Sequence, residues 1–149
     1  MFHFNNQMDP FKSNLDLTLK PEKEYHYDAA VYSVFGKRFN FMGGEWVDNS
    51  ITFTTRDLAK FTILRDSIAP TISPRTINTS DLSFRIKDDL SGIKSLRAEI
   101  DGAFVLMYYE PKRNLIWSKK LKENIPFKGE FILEVTDNSN NTKTYKRTL

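Results

Sequence analysis

Apolar residues alternate with polar ones along most of this chain, and almost nowhere do they recur at helical spacing. Leu15, Leu17 and Leu19 form one such set, followed by Ile51 with Phe53, and Phe61 with Ile63. Leu82, Phe84 and Ile86 come next, then Leu96, Ala98 and Ile100, then Phe104, Leu106 and Tyr108. Leu115 with Trp117, and Phe131, Leu133 and Val135, complete the series. Side chains two residues apart share one face of a strand, so each set predicts a strand with one buried face. Arg113 to Glu123 is the best helical candidate, yet it is short and its pattern fits a strand as well. On this pattern Trp117 points inward with Leu115, and its truncation to Ala is expected to cost ~3–5 kcal/mol. Trp46, just after Gly43-Gly44, is assigned to a core as well.

Turn-forming residues fall between the runs. Asp101-Gly102 separates two alternating segments and predicts a two-residue hairpin. Phe35-Gly36-Lys37 and Gly43-Gly44 interrupt the first half. Glu110-Pro111-Lys112-Arg113-Asn114 reads as a loop. Asp137-Asn138-Ser139-Asn140-Asn141 separates the last two strands, because Asn and Asp tolerate left-handed backbone and bond their own main chain. Many short strands with frequent turns predict sandwiches or barrels.

A boundary is expected near Ser67 to Pro74, where Pro70 and Pro74 favour extended backbone. Ile68 and Ile72 stand where a solvated linker would carry Ser, Gly or Lys, so both are expected to be buried. Residues 1–68 carry 8 basic and 9 acidic groups, and residues 69–149 carry 14 and 10.

Composition narrows the chemistry. Among the 149 residues are 12 Phe, 6 Tyr and 2 Trp, which strengthens the β assignment. The absence of cysteine removes disulfides, thiol nucleophiles and cysteine zinc sites. No apolar run approaches the ~20 residues of a membrane helix. Met1 opens a stretch without a basic region or apolar segment, so no signal peptide is expected there. His3 and His26 are the only histidines, too few for a His-rich metal site or a Ser–His–acid triad. Gly43-Gly44 lacks the ending of a phosphate loop. Lys119, Lys120, Lys122 and Lys128, with Lys143, Lys146 and Arg147, are interspersed with Glu123, Glu130 and Glu134. They read as solvated faces and edge protection, not as a nucleic-acid footprint. Asp88, Asp89, Asp101, Asp137, Asn138 and Asn141 are residues a calcium site draws on, and equally what turns require. An enzyme would need a carboxylate pair such as Asp88 with Asp101. No catalytic, cofactor-binding or metal-ligating residue is therefore assigned.

Two stretches are more specific: FRIKDDLSGIKS from Phe84 to Ser95, and EVTDNSNNT from Glu134 to Thr142. A strand, then a D-D-x-S-G-I turn, a second strand and a late V-T-D-N turn resemble bacterial immunoglobulin-like domains. GGEWVDNSITFTTRDLAKFTILRDSIAPTI, KDDLSGI and EIDGAFVLMYYEPKRN together resemble the C-terminal region of Bacteroidetes-type lysostaphin- or LytM-like zinc metallopeptidases. The resemblance spans about residues 13–149. In that family a catalytic domain with H-x-x-x-D and H-x-H zinc motifs precedes the β domains and cuts peptidoglycan cross-links. Neither motif has a counterpart here, so no catalytic residue transfers to this chain.

The expectation is all-β: two tandem β-sandwich modules, residues 1–68 small or partial and residues 69–149 immunoglobulin-like. The resemblance implies a non-catalytic accessory region of a cell-envelope peptidase, acting as spacer or binding module. It implies a periplasmic or envelope location, and an upstream peptidase domain or an envelope glycan or protein as partner. No cofactor and no nucleic acid are expected. The alternative is a free-standing secreted glycan- or protein-binding protein of the same fold.

Overall fold

The computed structural model of the chain describes residues 1–2, 13–120 and 124–149. The chain divides into two compact units, Met1–Ser67 and Ile68–Leu149. Both are built from antiparallel strands. Among the described residues, no helix is long and apolar enough to cross a membrane.

The first unit holds β1 (Leu15–Leu19), β2 (Ala30–Phe35), β3 (Arg38–Gly43), β4 (Glu45–Val47), β5 (Ser50–Thr55) and β6 (Lys60–Leu64). They form two three-stranded sheets, β1-β5-β4 and β3-β2-β6. The chain passes from one sheet to the other at Gly43-Gly44, whose φ values of 76° and 125° suit glycine alone. A Cβ on Gly44 would also stand 2.6 Å from Cγ1 of the buried Ile51. Asp48 and Asn49, both at positive φ, make the two-residue turn between β4 and β5. Leu19, Val31, Ile51, Phe53, Phe61 and Ile63 fill the space between the sheets. Phe53 meets Phe61 edge to face at 4.9 Å. Half-buried Trp46 packs against this core and donates its indole N–H to the Ala29 carbonyl at 2.7 Å. This is the small sandwich expected for the first half.

The second unit holds β7 (Thr71–Ile77), β8 (Leu82–Lys87), β9 (Ile93–Ile100), β10 (Ala103–Phe104), β11 (Met107–Glu110), β12 (Leu115–Ser118), β13 (Glu130–Asp137) and β14 (Thr142–Thr148). A single 3₁₀ turn, Pro111–Arg113, links β11 to β12. The sheets run β11-β12-β8-β7 and β10-β9-β13-β14. In chain order this is the A-B-E-D and C-F-G arrangement of immunoglobulin-like sandwiches, with β10 as an added strand beside β9. Leu82, Phe84 and Ile86 of one sheet face Phe131, Leu133 and Val135 of the other, all fully buried. Antibody domains join the corresponding pair of strands, B and F, by a disulfide. Here Phe84 stacks flat on Phe131, with centroids 5.5 Å apart and planes 9° apart.

Pro74 lies on the outermost strand of its sheet, with a register irregularity between Pro74 and Thr76, a tolerated place for a residue with no N–H. Ile72 is partly buried and packs against the core of its own unit. Ile68 does not follow expectation: 76% of its surface is exposed. It precedes the first strand of its unit.

Candidate functional site

The residues that sequence reasoning weighed for metal or acid chemistry are engaged in turns. Asp88 accepts hydrogen bonds from the Leu90 and Gly92 N–H groups at 3.1 and 2.7 Å. Asp137 is fully buried and accepts from the Ser139 and Asn141 N–H groups, both at 2.8 Å, and from the Asn141 side-chain amide. Asn138 ties these two turns together by donating its amide to the Ser91 and Gly92 carbonyls. Asp88 and Asp137 thus meet at one end of the sandwich, with carboxylate oxygens within 4.8 Å of each other. Asp89 pairs with Lys87 on the surface.

Asp101 occupies the other end. It turns the predicted Asp101-Gly102 hairpin between β9 and β10 and accepts the Glu130 N–H at 2.8 Å. The full length of β9, eight residues or roughly 25 Å, separates it from the Asp88 turn. Asp88 and Asp101 therefore form no carboxylate pair.

His26 is exposed, its Nδ1 2.6 Å from the Asp28 carboxylate. The Arg65 guanidinium donates to the same carboxylate at 2.8 Å. Desolvation opposes charge on Asp28, but the hydrogen bonds and charges of Arg65 and His26 outweigh it and hold the carboxyl below its usual range. His3 and Lys122 lie outside the described residues. Lys143, Lys146 and Arg147 are exposed on β14, an outermost strand, where charge discourages pairing with other chains.

A different surface carries exposed chemistry. In β12 it is Ile116 that is fully buried, so Trp117 points away from the core, 36% exposed. Its partner across the β11–β12 pairing is Tyr108, 40% exposed. The two rings lie 5.6 Å apart at an angle of 36°. Pairing Trp117 with Ser83 and Leu115 with Arg85 continues this outward face onto β8. Beyond Trp117, the Lys119 ammonium lies 5.5 Å from the Tyr108 ring centroid. Its contact with the Tyr108 hydroxyl raises its affinity for the proton, so Lys119 stays charged at neutral pH. The Glu110 carboxylate on the same face is 3.5 Å from Arg113. A ring pair beside hydroxyl and guanidinium donors offers an apolar plane for stacking and polar groups for orientation.

The inward assignment of Trp117 is thus corrected, together with that of Phe104, Leu106 and Tyr108. Val105 is buried, and Met107 and Tyr109 pack on the core. Burial pushes the Tyr109 phenol to a higher pKa. Phe104 and Tyr108 are exposed. Both alternating sets between Phe104 and Tyr109 are apolar or aromatic, and so are Leu115, Ile116 and Trp117, so the pattern permits either face. A one-residue shift in parity exchanges every inward and outward side chain. The four-residue turn 111–114 sets which residues of β11 and β12 pair and so share a face. Asn114 adopts left-handed backbone at φ 52°, closes the 3₁₀ turn onto the Pro111 carbonyl, and accepts the Ile86 N–H.

Compared with known proteins, the chain matches no protein-family model and no curated protein.

Proposed function

We propose that this chain is a non-catalytic accessory region of a cell-envelope peptidase, and that it acts as a carbohydrate-binding module through the Tyr108–Trp117 face. The observation that carries the reading is the exposed, cross-strand aromatic pair with Ser83 and Arg85 beside it. Sugar rings present apolar C–H faces that stack on aromatic planes, while their hydroxyls need donors and acceptors around the rim. Such a face adds little to the buried core, since both rings point away from it. The resemblance of residues 13–149 to the β region of peptidoglycan-cutting enzymes supplies the envelope setting and an upstream peptidase domain as partner. On this reading the chemistry belongs to that partner, and the chain needs no cofactor or zinc of its own.

Co-sedimentation of the purified chain with insoluble peptidoglycan tests the proposal. We expect the wild type to pellet with the glycan and Trp117→Ala to remain in the supernatant at unchanged melting temperature. Equal pelleting of the two proteins, or none by either, removes the aromatic face from the reading. Turnover of muropeptides or stoichiometric zinc by elemental analysis would overturn its non-catalytic part. The same face would serve a free-standing secreted binding protein, and the gene sequence upstream of Met1 separates these two forms.

A further inference from the structure

Resting on the carbohydrate reading, the geometry points to a narrower ligand class: a polysaccharide whose sugar units carry carboxylates. The outward line of β12 runs Leu115, Trp117, and then Lys119 just past the strand end. On the other side of the aromatic pair, Arg85 is diagonal to Trp117 on β8. Arg85 is exposed and makes no ion pair among the described residues. Its cross-strand neighbours are Leu115 and Ser73, and its same-face neighbours along β8 are Ser83 and Lys87. None of these is acidic. The carboxylates nearest in the pattern are already matched, Glu110 with Arg113 and Asp89 with Lys87. Lys119 holds its ammonium over Tyr108. A ring stacked on Trp117 is therefore bracketed by two cations that make no ion pair among the described residues. Arg85 presents a planar donor fork suited to a carboxylate, which it engages with two parallel hydrogen bonds. A neutral glycan would leave both charges without a counterpart, whereas an acidic one places a carboxylate beside each stacked ring.

Affinity electrophoresis in gels containing polygalacturonate, its fully methyl-esterified form, or polyglutamate separates the contributions. Esterification keeps the sugar backbone and removes the charge, and polyglutamate keeps the carboxylates and removes the sugar. We expect polygalacturonate to bind at least tenfold more tightly than either control, and added salt to weaken that binding. Arg85→Ala should lower affinity for polygalacturonate about tenfold, the scale of one charge-assisted hydrogen-bonded contact. The same variant should weaken any binding to the ester much less, and Arg85→Lys should recover only part of the loss. Trp117→Ala should weaken binding to both sugar polymers. Equal binding to the acid and its ester would overturn the inference while leaving the carbohydrate reading intact. Binding to polyglutamate as tight as to polygalacturonate would reduce the face to an ion exchanger and overturn both. Binding to none of the three would overturn the inference, and the carbohydrate reading would then stand or fall on the peptidoglycan pelleting.

Discussion

Strands β8 and β12 lie side by side in one sheet, yet they relate to the core in opposite ways. In β8 every second residue is apolar and fully buried, while Ser83, Arg85 and Lys87 between them are polar. In β12 the buried residue, Ile116, stands between two outward apolar ones, Leu115 and Trp117. One strand thus spends its apolar side chains on packing alone, and the other keeps an aromatic for its outer surface. The difference teaches that large apolar residues in this domain do two separate jobs, and that size does not tell which. Phe84 and Trp117 are both large aromatics, one position apart in pairing, but just one of them lies between the sheets.

That contrast can be broken most forcefully from the core side. Phe84→Ala removes a ring that stacks on Phe131 and meets Tyr145 edge to face at 5.3 Å. We expect a loss of ~3–5 kcal/mol in denaturant titration of the second domain, the range for deleting a buried Phe. In the first domain, Gly44→Ala asks a related question about space rather than side-chain loss. The new Cβ would enter contact distance of Ile51 and force a left-handed φ on alanine, so about 1–3 kcal/mol should be lost. Trp117→Ala sharpens the comparison from the other side. Losing one exposed cross-strand pair should cost under ~1 kcal/mol, although the residue is larger than Phe84. A loss as large as that of Phe84→Ala would place Trp117 among the core residues after all.

The smallest expected effect concerns pH. The Asp28 carboxyl has a lower pKa in the folded chain than in the unfolded one, so its contribution is present above the usual carboxylate range. That contribution disappears as pH falls through the depressed folded value. Asp28→Asn should therefore lower neutral-pH stability slightly, flatten the acid limb of the first domain's melting curve, and converge with the wild type below the depressed value. A steeper acid limb in the variant would contradict the assignment.

Where one face alone was apolar, the pattern was readable. Leu82, Phe84 and Ile86, and Phe131, Leu133 and Val135, are buried as alternation required. Asp101-Gly102 makes the hairpin its chemistry predicted, with both residues at positive φ. The candidate site was less readable for the opposite reason. Between Phe104 and Trp117 apolar residues occupy both parities, so hydrophobicity could not choose the face, and pairing with β8, which sets Ile116 opposite buried Phe84, fixes it. Arg85 does not stand out in the sequence, because a single charge on a strand's outer face is ordinary. Its meaning comes from what sits across the ladder, and pairing between distant strands is not written in local sequence. Asp48-Asn49 is a turn signal of the kind found elsewhere in the chain, and it marks the end of β4, which alternation alone does not show.

The placement of β7 and β14 has a mechanical consequence. β7 starts beside Lys87, at the end of the sandwich that carries the Asp88 turn, and β14 finishes beside Glu130, at the end that carries Asp101. Each is an outermost strand held along its length by one antiparallel neighbour. Tension applied between the two ends of this domain would load those ladders in shear, along a path of roughly 20 Å. Several hydrogen bonds would then have to fail together, whereas peeling from one end would break them one at a time. The strand order thus gives the second domain a shear geometry against tension between its ends.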